Sequence, residues 1–152
     1  MSNILVTAST GFIGRNFFER QSFFDHNFFF LQRETVNEDN IFKFDLRDEY
    51  YRDESFQNID IVIHIAGQSH VPVNTKESLN NCIEVNFNST VRLAKHAERN
   101  GVKKFVFLSS IKAAGLLYGK KLTESQFAKN IDIYGRCKKN AEEELIKISK
   151  KT

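Results

Sequence analysis

Short apolar runs alternate with longer stretches of helical spacing along the 152 residues of the chain. Ile4-Leu5-Val6 reads as a first strand, followed by a glycine-bearing turn and a helix over about Phe12 to Arg20. Phe28 to Gln32, Ile41 to Phe44, Ile61 to Ile65 and Phe105 to Leu108 read as further strands. These runs are continuously apolar rather than alternating, as in strands buried on both faces of a parallel sheet. Between the fourth and fifth runs, Ser78 to Asn100 predicts a long helix. Its apolar stripe is Ile83, Phe87, Val91 and Ala94, and Gly101 closes it. A last helix starts near Tyr134, with Ala141, Leu145 and Ile148 as its stripe. The alternation of strand and helix predicts an α/β fold, a Rossmann-like doubly wound parallel sheet. The longest irregular stretch runs from about Gly115 to Ile133, and long loops of this kind are often functional.

Composition narrows the function classes. Hydrophobic residues make up 41% of the chain and charged residues 27%, ordinary values for a globular domain with a real core. A net charge of +3 is too small to argue for a nucleic-acid partner. Lys147, Lys150 and Lys151 suit a solvated helix C-terminus, where the helix dipole favours cations. No run approaches the roughly 18 apolar residues of a membrane span. No basic region precedes the first apolar run, so neither a signal peptide nor a membrane partner is expected. Cys82 and Cys137 are the only cysteines and lack metal-ligand spacing, so no metal is expected and a reducing cytoplasm fits. The phenylalanine clusters Phe23-Phe24 and Phe28-Phe29-Phe30 read as core packing.

Two patterns carry chemistry. Thr7-Ala8-Ser9-Thr10-Gly11-Phe12-Ile13-Gly14 follows the first strand, with Ala8 where a Gly-x-x-Gly-x-x-Gly spacing asks for glycine. Such a turn lets backbone N–H groups approach a pyrophosphate at a helix N-terminus. Ala8, Thr10, Gly11, Phe12, Ile13 and Gly14 are therefore the candidate cofactor contacts there. Ala8 is expected to tighten the turn and weaken cofactor affinity. Tyr134 and Lys138 stand four apart, so on a helix the phenol and the ammonium share one face.

With these segments and those between them, the chain resembles the extended short-chain dehydrogenase/reductase family, in its NAD-dependent epimerase/dehydratase branch. Ile4 to Gly14 is similar to the family's opening, and Asp45-Leu46-Arg47-Asp48 to the segment whose aspartate contacts adenine. Val62-Ile63-His64-Ile65-Ala66-Gly67 resembles the strand-four motif lining the cofactor. Asn86 falls where the family has a helix asparagine, and Phe107-Leu108-Ser109-Ser110 resembles the strand end carrying the catalytic serine. Tyr134-Gly135-Arg136-Cys137-Lys138 is the Tyr-x-x-x-Lys signature.

The resemblance implies Tyr134, Lys138 and Ser110 as catalytic residues. It implies Asp45, Leu46, Ile65, Ala66, Gly67, Asn86 and Lys138 as cofactor contacts. NAD is the implied cofactor; Arg33, after the second strand, leaves NADP open by offering a cation to a 2′-phosphate. Working near neutral pH asks for a downward shift of about three units in Tyr134, which Lys138 and the oxidised nicotinamide would favour. The dehydratases of the branch usually carry Thr-Asp-Glu where this chain has Ser110-Ile111-Lys112, which favours a UDP-hexose 4-epimerase reading over dehydration. A carbonyl reductase and a non-catalytic dinucleotide-binding module are the alternatives.

Family members are about twice this length. The expectation is that residues 1–152 are the NAD(P)-binding domain, truncated after the Tyr-Lys helix, with the C-terminal substrate domain absent. A nucleotide sugar would be the substrate. The fifth strand would then be an exposed edge, and a homodimer would form through helices at about 78–100 and 134–150. His64 reads as a satisfied core histidine, His70 as a loop residue or a phosphate contact, and Lys112 as solvated.

Overall fold

The computed structural model describes residues 1–34, 38–48, 51–69, 72–115 and 132–150. His70, Lys151 and most of the irregular stretch (116–131) lie outside the described residues. The chain divides into two compact units, Met1–Ala66 with Arg92–Leu108, and Gly67–Val91 with Ser109–Thr152.

The first unit holds the sheet: β1 (Asn3–Thr7), β2 (Asn27–Gln32), β3 (Ile41–Lys43), β4 (Ile61–His64) and β5 (Lys104–Phe107). All pairings are parallel, in the order β3-β2-β1-β4-β5. Central β1 pairs Leu5 with Phe29 on one side and Val62 on the other. Side chains alternate between two cores. Leu5, Leu31 and Val62 pack with Tyr51, Phe56, Ile59, Leu93 and Ala97. Ile4, Val6, Phe28 and Phe30 pack with Ile41, and with Phe17 and Phe18 of α1 (Phe12–Arg20). Both faces are covered, so a doubly wound parallel sheet is what this sequence builds. β5 departs from the expected full burial: it pairs with β4 alone among the described strands, and Val106 is 42% exposed. This is the predicted edge.

The long helix is not one uniform element. Thr75 caps α2 (Lys76–Ile83), its hydroxyl accepting from the Ser78 N–H at 3.0 Å while the Thr75 N–H donates to Ser78 Oγ at 3.0 Å. Ser78, expected as the first residue, is thus the third helical position of a capping box. A π-helical turn (Glu84–Asn88) follows, and then α3 (Ser89–Arg99). The buried face also differs from the expected stripe. Cys82, Asn86, Ser89, Thr90, Leu93, Ala94 and Ala97 are buried, whereas Ile83, Phe87 and Val91 are half-buried. Ser89 donates to the Val85 carbonyl at 2.7 Å and Thr90 to the Asn86 carbonyl at 3.4 Å. Hydroxyls satisfied by the preceding turn can be buried without loss, so hydrophobicity alone selects the wrong stripe. Gly101 ends α3 as expected, at φ +76°, with Val102 N–H donating to the Ala97 carbonyl at 3.0 Å in a Schellman arrangement.

In the second unit, α4 (Ile133–Ser149) packs against α2, the π-helical turn and a 3-10 turn at Ile111–Ala113. Asp132 caps α4, accepting from the Gly135 N–H at 2.7 Å.

The turn between β1 and α1 is tightly constrained. Ala8 has φ +59°, a left-handed conformation that costs an L-residue about 1–2 kcal/mol. Its N–H donates to the Leu31 carbonyl at 3.1 Å, and its carbonyl accepts from Gly11 at 3.0 Å. A Cβ on Gly14 would lie 1.9 Å from that same carbonyl oxygen. The turn is indeed tight, and Ala8 pays for it in backbone strain. Ala8→Gly is expected to raise stability by about 1 kcal/mol, read as a higher urea midpoint. Gly14→Ala is expected to lower it by about 1–3 kcal/mol. A less stable Ala8→Gly variant would contradict the strain assignment.

Candidate active site and cofactor-binding residues

In the first unit, the strand ends are held by side chains. Thr7 Oγ1 accepts from the N–H groups of Ile65 and Ala66 at 3.1 and 3.0 Å, and lies 2.9 Å from His64 Nδ1. With both lone pairs used, the hydroxyl proton goes to Nδ1, so His64 carries its own proton on Nε2. His64 is fully buried beside Phe105 and Phe107, a core histidine as expected. Ser9 donates to Gln32 Oε1 at 2.8 Å, tying the glycine turn to β2.

Gly11 caps α1 with no side-chain hydrogen bond, and the first turn has no acidic residue. Among the described residues no side chain caps the opening of α1, and a helix start of this kind suits a pyrophosphate. Phe12 and Ile13 are exposed there, Phe12 at 90%, and Thr10 is exposed as well. Beyond β3, Asp45 accepts from Arg47 Nε at 3.0 Å and from its NH2 group at 2.6 Å. That hydrogen bond, helped by the charges of Arg47 and Arg33, draws the Asp45 carboxyl down to about 2. The Leu46 carbonyl accepts from Arg92 at 3.1 Å. Arg33 is exposed.

In the second unit, Asn86 lies in the π-helical turn and is buried. Its Oδ1 accepts from the Gln68 N–H at 2.8 Å; its Nδ2 donates to the carbonyls of Gln68 at 3.1 Å and Cys82 at 3.0 Å. A side chain inserted into the helical ladder is a recognised cause of such a turn. A Cβ on Gly67 would meet Asn86 Oδ1 at 3.0 Å and Lys138 Nζ at 3.2 Å, so Gly67, Asn86 and Lys138 converge.

Lys138 is 2% exposed, and burial pulls its ammonium down to about 8. It remains a cation at neutral pH. Its Nζ lies 5.9 Å from the Tyr134 ring centroid, and the Ser110 hydroxyl is placed to favour the ionised form of the Tyr134 phenol. Ser109 is engaged elsewhere, donating to Glu142 at 2.5 Å. The structure therefore joins Ser110, Tyr134 and Lys138 as the sequence suggested. The electrostatics differ from expectation: burial pushes the Tyr134 phenol above its ordinary value, against the opposing pull of the Ser110 hydrogen bond and the Lys112 charge.

Three features escaped sequence reading. Lys112 is not simply solvated: it pairs with Asp132 at 2.9 Å and lies 5.7 Å from the Tyr134 ring centroid. The Cys82 and Cys137 thiols are both buried and act on one another, and burial lifts Cys137 to about 12. Gln68 lies beside Asn86 on a cleft of about 300 Å³, lined also by Val73, Ser78, Cys82, Lys112 and Tyr134. Each joins residues distant in sequence, and no local pattern announces such pairs. Among the described residues no cluster suits a metal ion, and no helix is long and apolar enough to cross a membrane.

Burial of Lys138 makes a pH-dependent contribution to stability. The unfolded chain holds this proton up to about 10.5 and the folded chain only to about 8. Between those values the unfolded chain binds more protons, so stability rises with pH. Wild type is expected to gain stability relative to Lys138→Met across that window, measured by urea unfolding at each pH. A difference that stays flat would contradict the assignment.

Comparison with known proteins agrees with this geometry. Residues 4–152 match the profile of the NAD dependent epimerase/dehydratase family. A UDP-glucose 4-epimerase of Vibrio cholerae is 36% identical over 156 residues, covering 97% of this chain and 47% of that protein. The structure of the UDP-Glc/GlcNAc 4-epimerase of Campylobacter jejuni superposes with a TM-score of 0.83 at 22% identity, covering 100% of this chain and 50% of that one. UDP-glucuronic acid 4-epimerase of Bacillus cereus, solved with NAD, gives 0.80 at 19% identity, covering 97% and 52%. The chain thus spans about half the length of the relatives it matches. A profile matched from the first strand to the C-terminus, over this fold and this Ser-Tyr-Lys set, places the chain in the NAD-dependent epimerase/dehydratase family.

Proposed function

We propose that this chain is the NAD-binding domain, residues 1–152, of a sugar-nucleotide 4-epimerase acting on a UDP-hexose. The observation that carries this reading is the buried Lys138, its Nζ 5.9 Å from the Tyr134 ring centroid one helical turn away, with Ser110 acting on the same phenol. NAD, when bound, supplies the acceptor for the hydride at the sugar's C4. Tyr134 takes the proton of the C4 hydroxyl as general base, and Ser110 donates a hydrogen bond to the same oxygen. The Lys138 ammonium favours phenolate and bonds the nicotinamide ribose. Ala8, Thr10, Gly11, Phe12, Ile13 and Gly14 receive the pyrophosphate. Asp45 and Leu46 border the adenine, and Ile65, Ala66, Gly67 and Asn86 line the cofactor.

Tyr134 is protonated at neutral pH by its ordinary chemistry, and burial pushes its phenol further up. The positive charge of oxidised nicotinamide would supply the missing preference for phenolate. Epimerisation is favoured over dehydration because Ser110-Ile111-Lys112 offers no carboxylate, and the cleft's Asp132 is paired to Lys112. The exposed Arg33, whose charge reaches Asp45, keeps NADP as the second cofactor reading. Two buried free thiols suit a reducing cytoplasm.

NAD(H) or NADP(H) at millimolar concentration is expected to raise the melting temperature, with about 2.7 kcal/mol of stabilisation at a hundredfold excess over Kd. No shift with any of the four would sink the cofactor reading. Tyr134→Phe is expected to keep that shift and to abolish interconversion of UDP-glucose and UDP-galactose; unchanged turnover would remove Tyr134 from the mechanism.

We also propose a homodimer through the helices at about 78–100 and 134–150. Supporting it, Ile83, Phe87, Val91, Leu145 and Ile148 are only half-buried. Sedimentation is expected to give the mass of a dimer, and Phe87→Glu that of a monomer. A monomeric wild type would overturn this.

A further inference from the structure

Lys112 belongs to no element of the proposed chemistry, yet it is one of two ammonium groups near the reactive tyrosine. Its Nζ lies 5.7 Å from the Tyr134 ring centroid, against 5.9 Å for Lys138. Among the described residues Asp132 holds it there. Asp132 Oδ2 accepts from Lys112 Nζ at 2.9 Å, while Asp132 Oδ1 caps α4 through the Gly135 N–H at 2.7 Å. The carboxylate that starts the helix carrying Tyr134 therefore also fixes the cation beside Tyr134. At the other end, the backbone N–H of Lys112 donates to Ser110 Oγ at 3.3 Å, on the hydroxyl that favours ionisation of the phenol. Lys112, Asp132, Ser110 and Tyr134 form one closed set, and Lys112, Asp132 and Tyr134 line the same cleft.

From this arrangement we infer that Lys112 and Asp132 are a paired positioning device for Tyr134: Asp132 pins the Lys112 ammonium against the ring, and the pair sets how readily the phenol gives up its proton. The inference rests on the reading of Tyr134 as the base. Besides burial, four groups act on the phenol. Lys112 favours phenolate by its charge and Ser110 by its hydrogen bond; Asp132 and the Cys82 thiol oppose it. Lys138 is the second ammonium near the ring. Lys112 and Asp132 pull in opposite directions, so removing either exposes the other. Without Lys112, an unneutralised carboxylate faces the tyrosine. Without the Asp132 charge, the ammonium acts unopposed. An asparagine at 132 still caps α4, since its amide oxygen accepts as the carboxylate does.

The opposite signs make the test specific. With 3-fluorotyrosine incorporated to bring the titration into a mild pH range, fluorine NMR follows each of the four tyrosines. The Tyr134 signal is the one lost in Tyr134→Phe. In Lys112→Met its ionisation constant is expected to fall about threefold to tenfold, the upper end being an unscreened neighbouring charge. In Asp132→Asn it is expected to rise by a similar factor, and in the double variant to return to within about twofold of wild type. A purely structural role would move both single variants the same way, or neither; either result overturns the inference. The titration uses no cofactor and no substrate, so its outcome is separate from that of the NAD stabilisation test. If a single variant fails to fold, the sign of the other, against the double variant, decides.

Discussion

Where a parallel strand ends, the peptide groups of the following loop lose their ladder partners, and any that stay buried must be satisfied by side chains. This fold answers that constraint residue by residue. Thr7 takes the amides of Ile65 and Ala66. Asn86 takes both peptide groups of Gln68 and the Cys82 carbonyl. Asp132 takes Gly135. Losing one partner of a buried hydrogen bond costs about 1–3 kcal/mol, so each of these side chains fixes a loop more firmly than loop residues could fix themselves. The residues assigned to the cofactor and to catalysis lie on those loops or directly beside them. Their placement follows from a need to bury backbone, before any ligand is considered.

The same constraint explains what was legible in the sequence. The sheet could be read because burial on both faces leaves unbroken apolar runs such as Ile4-Leu5-Val6. Gly101 could be read because a left-handed helix end asks for glycine. Tyr134 and Lys138 stood out by helical spacing, whereas Ser110 came forward only through the family resemblance of the strand end it follows. The buried face of the long helix could not be read. Asn86, Ser89 and Thr90 are polar residues satisfied internally, and a hydrophobic scale scores them as solvent-facing. The Lys112–Asp132 pair was hidden for another reason: twenty residues separate its members in the chain, and only the packing of α4 against the 3-10 turn brings them together.

The electrostatics of Tyr134 are a contest between burial and charge. Desolvation is the largest influence on the phenol and holds the proton on. Lys138 is also affected by burial, its ammonium weakened to about 8 while remaining charged at neutral pH. A site that is dry enough to strengthen charge interactions thereby makes its own charges harder to keep. Under the proposed mechanism, the positive charge that NAD would bring offsets that burial, so Tyr134 would act as a base only with the cofactor in place.

The buried thiols of Cys82 and Cys137 carry a consequence for measurement. Cys82 lies on α2 and Cys137 on α4, and burial pushes the Cys137 thiol up to about 12. Alkylating reagents attack the thiolate, so in the folded state Cys137 is protected by burial and by protonation together, and Cys82 by burial. Labelling then has to wait for the two helices to part. The rate at which a thiol reagent consumes Cys137 is thus a clock for local opening of the helix pair, built into the chain beside the residues whose order matters most.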